Sequence, residues 1–460
     1  MLANLKDWYR NLVSPAFLTA VAIYGTLLVL LSATRPFWVD ELLQLFGTRD
    51  LADYKLLRYV GTFPGAAPIG YFAQHWITAT VGFSPVFVRL SSTLPCLLGC
   101  VCVRFLLRQL RIQDRCGIAI LCWMLLPIQL RYGVEARPYA LALLFSIVAT
   151  ILFFRFLARP SYANGVFYCV SVLLAIYTAP YTLFLQAGYV VWAMFFQKNR
   201  TVRVISATAL AVAGLGFSPW YWASINYWKH YLAVTADVGF HVTWKFVLLP
   251  IQEISGGGYL CSIPLLFLSA IGYRSRHLSR PLKNCLLLGI LSGFAGAFAT
   301  DLTFGYFFAI RQVLFILVPL ILLTAAGIED LLEHKRMPLH ALLILLLIGS
   351  SFVKDVRYFS DTSENWSAAA ATLKAAVATG ACLKFVGADD PRYYTFFESS
   401  LSNHVCSSPV DLRQSIVVPF TRYTALQDLE KTRSEFSRLG YKTRSSVQSG
   451  GATVAIYSHR

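Results

Sequence analysis

Two acidic residues, Asp40 and Glu41, stand side by side just after the first long apolar run, Phe17 to Ala33. They close the stretch Arg35-Pro36-Phe37-Trp38-Val39-Asp40-Glu41, where a membrane helix would just have left the bilayer. A charge near hydrocarbon is costly and tends to be retained for function. Phe37 and Trp38 suit the headgroup level. A carboxylate at that depth can accept a proton from an attacking hydroxyl, with the substrate presented by the lipid phase. The plain alternative is a solvated loop pair.

Three further charges share that side of the membrane. Glu135 and Arg137 lie in Arg131-Tyr132-Gly133-Val134-Glu135-Ala136-Arg137-Pro138-Tyr139, and Arg311 follows the segment that Asp301 opens. Arginine grips phosphate through two parallel N–H donors and can neutralise it as it leaves. Snorkelling to the interface is the competing explanation for Arg137 and Arg311. A base with two arginines suits transfer from a phosphate-linked donor to a hydroxyl. No histidine cluster points to zinc, so no metal is expected; a divalent ion at Asp40/Glu41 is the other use that pair allows.

These residues need a membrane scaffold. The 460 residues are 57% hydrophobic and 14% charged, too apolar for a soluble chain, and many runs approach the ~20 residues that a spanning helix requires. The net charge of +17 could suggest nucleic acid. The basic residues instead collect in short loops, which is the positive-inside pattern and a contact for anionic membrane lipid. Nucleic acid is therefore not an expected partner. Met1 to Ser14 is polar and no small-residue cleavage site follows the first run; that run is expected to remain as an anchor.

Spans are expected at Phe17–Ala33, Val86–Leu106, Gly117–Leu130, Ala140–Leu157, Gly165–Thr178, Thr182–Phe196, Val204–Trp220, Tyr259–Gly272, Asn284–Ala299, Val313–Gly327 and Leu339–Phe352. Residues 34–65 read as a polar outer loop and 221–257 as a long one, with an interfacial helix at Val242–Ile254. Ala66–Gly82 is apolar, but counting crossings to the basic cluster Arg104, Arg108, Arg111 and Arg115 requires it to lie flat, anchored by Tyr71, His75 and Trp76. The result is eleven spans, with the N-terminus in the cytoplasm and the C-terminus outside. The envelope context implied is a bacterial plasma membrane.

Composition changes at Lys354, which divides a membrane part (1–353) from an extracytoplasmic α/β tail (354–460). In the tail, Ser363-Glu364-Asn365-Trp366 opens a helix that Gly380 closes. Leu383–Val386 reads as a strand, Arg392–Ser400 and Thr424–Leu439 as helices, and Tyr441–Val447 with Thr453–Tyr457 as a hairpin. Eight of the ten cysteines sit in or beside membrane runs as packing residues. Cys382 and Cys406 fall in the tail, where a disulfide and two separately buried thiols are both open readings.

The order Phe37-Trp38-x-Asp40-Glu41, Pro68-Ile69-x-Tyr71, Val88-Arg89-Leu90-Ser91 and Tyr132-x-x-Glu135-Ala136-Arg137-Pro138-Tyr139 resembles the GT-C superfamily of membrane glycosyltransferases. It is similar to the family-39/family-83 branch, with the dolichyl-phosphate-mannose protein mannosyltransferases and the lipid A aminoarabinose transferases. The resemblance implies a mainly α multi-pass bundle with flat helices after span one, and a polyprenyl-phosphate sugar as donor. It implies Asp40 as the base, Glu41 as a positioning group, Arg137 and Arg311 on the phosphate, and Glu135 orienting Arg137. The chain departs from the family at Ala66-Ala67-Pro68, where His-Pro-Pro is frequent, and around Tyr177-Thr178-Ala179, where a histidine is often found. Both departures bear on the sugar and on the acceptor, which is left open among glycan, lipid and protein. The rival from another class is a lipid or glycan flippase; the chain shows no internal repeat and no matched pair of broken helices to support one.

Overall fold

The computed structural model describes residues 14–63, 65–112, 114, 117–234, 245–304, 309–333, 337–360, 364–386, 390–406, 415–421, 426–450 and 452–459. The chain divides into two compact units, Met1–Ala33 with Gly47–Tyr358, and Thr34–Phe46 with Phe359–Arg460.

The first unit is helical. In order come α1 (Pro15–Thr34), α2 (Val39–Thr48, whose first turns belong to the second unit), α3 (Asp53–Gly61), α4 (Pro68–Val81) and α5 (Pro85–Gln109). Then follow α6 (Ile118–Leu125), α7 (Pro127–Val134), α8 (Tyr139–Ala158), α9 (Tyr162–Ile176), α10 (Thr182–Phe196) and α11 (Arg200–Val234). The unit ends with α12 (Lys245–Glu253), α13 (Tyr259–Arg274), α14 (Arg280–Phe304), a 3-10 turn at Ile310–Ile316, α15 (Leu317–Glu333) and α16 (Met337–Ser360).

Each of the eleven expected spans coincides with a helix or a helix pair. Among the described residues six helices are long and apolar enough to cross a bilayer, and α9, α10 and α13 are apolar but shorter. The chain is a multi-pass membrane protein. Glycines let the helices close up. A Cβ on Gly272 of α13 would strike the Leu323 carbonyl, and one on Gly327 of α15 would strike that of Leu268. Ser269 Oγ and Thr324 Oγ1 then meet at 2.9 Å across the same pair.

Several expectations are corrected. Residues 34–65 are not an open loop, for they carry α2 and α3. The third span is broken, with Leu126 at φ −61°, ψ 125°, because Pro127 lacks an N–H and pushes the residue before it out of the helical region. The Ile128 N–H then donates to Ser255 O at 3.0 Å. α11 runs on to Val234, well past the expected end at Trp220. α12 replaces the expected Val242–Ile254 helix, and 235–244 lie outside the described residues. α4 has 14 residues and rises about 21 Å, short of the ~30 Å hydrocarbon core. Tyr71 in it is a core residue, 2% exposed, rather than an interface anchor.

The second unit holds a four-stranded sheet of order β1 (Cys382–Leu383), β2 (Ile416–Thr421), β4 (Ala452–His459), β3 (Tyr441–Ser449), with β1–β2 parallel and the rest antiparallel. Its helices are α17 (Trp366–Val377), α18 (Arg392–Thr395) and α19 (Leu426–Arg438), with a 3-10 turn at Ser399–His404. Asn365 caps α17, its side chain accepting from Ala368 N at 3.1 Å. Ile416, Val418, Phe420, Ala455 and Tyr457 pack with Phe436 of α19 on one face of the sheet. The expected strand at Leu383–Val386 shrinks to two residues, and the expected helix to Ser400 stops at Thr395. Cys382 and Cys406 form a disulfide with Cα atoms 4.9 Å apart, beside the parallel bridge Leu383–Val405.

Candidate functional site

In the second unit, Phe37 is buried and Trp38 precedes the first turn of α2. A helix start leaves amides without intrahelical acceptors. Two carboxylates take two of them. Glu41 Oε2 accepts from Trp38 N at 3.2 Å, and Glu364 Oε2 accepts from Val39 N at 2.9 Å. Acidic groups are favoured there by the helix dipole as well. Glu41 is therefore turned back on the backbone and is 1% exposed, whereas Asp40 is half-buried. Phe46, further along α2, packs against Tyr393 and Phe396, with the Arg392 guanidinium 4.9 Å from its ring centroid. These contacts explain why Thr34–Phe46 belongs with the tail.

In the first unit, Glu135 and Arg137 lie beside a tyrosine pair, Tyr132 and Tyr139. α7 ends at Val134, and Glu135 turns extended at φ −88°, ψ 131°. The Glu135 carboxylate, 3% exposed, accepts from Arg131 Nε at 2.8 Å. Its backbone carbonyl accepts from Arg137 N at 2.7 Å. Arg137 Nη2 donates to Tyr139 Oη at 3.2 Å, and the guanidinium lies 5.5 Å from that ring's centroid. Tyr139 meets Tyr132 edge to face at 5.0 Å. The charge of Arg311 reaches Tyr132 as well, from the 3-10 turn that packs on α8.

Neighbouring helices clamp this segment. Gln74 of α4 is fully buried; its amide donates to Ala136 O and to Val88 O, both at 3.3 Å, while its oxygen accepts from Thr48 Oγ1 at 2.9 Å. Ser92 Oγ of α5 donates to Arg137 O at 2.8 Å. Gly70 touches Pro138 so closely that a Cβ there would strike the proline ring. Arg89, 1% exposed, donates through Nη1 to Ser32 O at 2.8 Å and satisfies a last-turn carbonyl of α1. Asp301 accepts from Tyr181 Oη at 2.6 Å, and Gln312 Nε2 lies 3.4 Å from the same oxygen. The Gln312 side-chain oxygen in turn accepts from Ala309 N at 2.8 Å, so this network sets the start of the turn that carries Arg311.

Sequence reasoning passed over Arg131, Gln74 and Glu364. The i, i+4 spacing of Arg131 and Glu135 could have revealed the first. Arg131 also faces a second carboxylate, Glu253 of α12, whose pKa is pushed up by burial and pulled back by the Arg131 charge. Nothing local marks Gln74 or Glu364. Among the described residues no three His, Cys, Asp or Glu side chains come together as a metal site.

No protein-family model matches the chain, and no curated protein does. Solved structures do. ArnT from Cupriavidus metallidurans bound to undecaprenyl phosphate superposes at a TM-score of 0.62 with 10% identity, over 96% of this chain and 98% of that one. The same protein in the apo state gives 0.58 over the same shares, also at 10% identity. An Archaeoglobus fulgidus oligosaccharyltransferase gives 0.47, too low to carry an argument. The fold is that of the GT-C membrane proteins, as the motif resemblance implies.

Proposed function

We propose that this GT-C-fold protein is a glycosyltransferase. It moves a single sugar from a polyprenyl-phosphate carrier to an acceptor hydroxyl on the extracytoplasmic side of a bacterial plasma membrane. The observation that carries the reading is the Arg137 guanidinium on the ring of Tyr139, which meets the buried Tyr132 edge to face, with the charge of Arg311 acting on Tyr132. It stands on a fold shared, almost end to end, with a protein crystallised with undecaprenyl phosphate. An apolar cavity of about 280 Å³, lined by Phe184, Phe217, Tyr221, Trp228 and Phe304, suits an isoprenoid chain. The basic loops support a cytoplasmic N-terminus.

In this mechanism the acceptor oxygen attacks the anomeric carbon and Asp40 takes its proton. The bond from that carbon to the phosphate oxygen breaks with inversion, and its electron pair leaves on the phosphate. Arg137 and Arg311 neutralise that charge. Glu41 and Glu364 hold the start of the helix that carries Asp40. A divalent ion at Asp40/Glu41 remains the other use of that pair, and no step here runs through one. The test is transfer or donor hydrolysis by the purified protein in detergent, using an undecaprenyl-phosphate sugar. A flippase would give neither product, and that result would remove the reading. Mass spectrometry of co-purified lipid would identify the carrier.

A further inference from the structure

The apolar cavity and the turn that carries Arg311 meet at one carboxylate oxygen, Asp301 Oδ1. Asp301 is fully buried near the C-terminal end of α14. Its Oδ1 accepts from Tyr181 Oη at 2.6 Å, a separation typical of a charge-assisted bond. Gln312 Nε2 lies 3.4 Å from the same oxygen and 3.4 Å from Tyr181 Oη. Among the described residues Asp301 Oδ2 has no hydrogen-bond partner. Burying a carboxylate is costly unless donors satisfy it, so the Tyr181 hydroxyl and the Gln312 amide are what hold this one in place.

The two donors face different parts of the protein. The Tyr181 ring lines the cavity, as do Thr300 and Phe304 on either side of Asp301. Gln312 directly follows Arg311 in the 3-10 turn, which packs on α10 and α14. An acceptor-only carboxylate fixes which way an amide points. With Nε2 toward Asp301, Gln312 Oε1 is left to accept from Ala309 N at 2.8 Å, and Gln312 N donates to Ala309 O at 3.0 Å. Those two bonds close the turn around Arg311. A hydrocarbon chain in the cavity packs against the Tyr181 ring, and many small contacts together restrain it. A restrained ring keeps its hydroxyl on Asp301, and Asp301 keeps the Gln312 amide oriented. Order imposed by the tail need not be imposed again by the phosphate, so the two ends of one ligand bind cooperatively.

We propose that Tyr181, Asp301 and Gln312 are positioning residues that make the grip of Arg311 on the carrier phosphate depend on a hydrocarbon tail in the cavity. The device rests on the reading of Arg311 as a phosphate contact, and its consequence is selection of lipid-linked phosphates over water-soluble ones. The probe is undecaprenyl phosphate, titrated into the full chain in phosphatidylcholine nanodiscs and read by native mass spectrometry as a double-mutant cycle. Tyr181→Phe keeps the ring and the cavity wall and removes only the hydroxyl. It should weaken binding about fivefold, and Arg311→Ala about tenfold. The double variant should bind within about twofold of Arg311→Ala alone, whereas the losses from Tyr181→Phe and Arg137→Ala should multiply. Asp301→Asn, whose amide can turn an N–H toward Gln312, should behave like Tyr181→Phe in both cycles. Dimethylallyl phosphate, a single isoprene unit, is measured by displacement, and Tyr181→Phe should leave its affinity unchanged. Losses that multiply in the Arg311 cycle overturn the proposal. So does an equal loss for dimethylallyl phosphate, because the tail would then play no part. Failure of the wild type to bind undecaprenyl phosphate would sink the carrier reading as well, whereas binding with independent losses would sink the coupling alone.

Discussion

The amide of Val39 donates to the Glu364 carboxylate at 2.9 Å across 325 positions of sequence. The bond ties the first turn of α2, and with it Asp40, to the residue just before the α17 cap. Removing a helix-start acceptor costs about 1 kcal/mol. Glu364→Ala should therefore slow transfer about fivefold at unchanged donor affinity, with Glu364→Gln recovering most of it. Equal rates in the alanine variant and the wild type would show that the bond does not position Asp40.

Asp40→Asn keeps the side-chain volume and removes the proton acceptor. Transfer should fall by roughly 100-fold or more, the usual contribution of a general base, with the protein still monodisperse in detergent. More than about a tenth of the wild-type rate would exclude Asp40 as the base.

Arg137→Ala and Arg311→Ala should each weaken donor binding and turnover. Lysine should replace Arg137 poorly, because it lacks the planar fork and the ring contact to Tyr139. Undecaprenyl phosphate binding to nanodisc-held protein is the direct measurement. Normal affinity in both alanine variants would remove the phosphate role.

Orientation is checked by labelling. In a background without reactive thiols, Arg111→Cys should label only from the cytoplasmic side and Gln252→Cys only from outside; both positions are exposed. Labelling of both from one side would contradict the five crossings that the expected spans place between them.

The Cys382–Cys406 bond closes a separation of 24 residues. In the chain-entropy picture a loop of that size stabilises its domain by about 3 kcal/mol. Cys406→Ser should make the tail markedly easier to cut with protease, and non-reducing mass spectrometry of the wild type should find the two peptides linked. Full alkylation of both thiols without reductant would contradict the bond.

Much of the architecture was readable before any coordinates. Hydrocarbon forces backbone groups to pair within their own segment, so apolar runs report the helices directly, and each of the eleven expected spans coincides with a helix or a helix pair. Local chemistry was equally legible where it is self-contained. Asn365 caps α17, and Gly440, at φ +83°, stands two residues past Arg438, the last residue of α19. β2 carries Pro419, a residue that argues against a central strand. It is accommodated because β1 pairs only with Ile416 and Val417, so the proline stands where that neighbour has ended.

Residue identity and order alone determined the membrane class, the two acidic neighbours at the end of span one, and the arginine motif after span three. Tertiary structure decided what each of those charges does. It turned Glu41 back onto Trp38, set Arg131 on Glu135, and placed Gln74 between Val88 and Ala136. It also gave Val39 its distant acceptor in Glu364. A side chain that satisfies a backbone group far along the chain leaves no periodic trace in the sequence. Its partner exists only once the packed helices and the tail sheet have brought the two together.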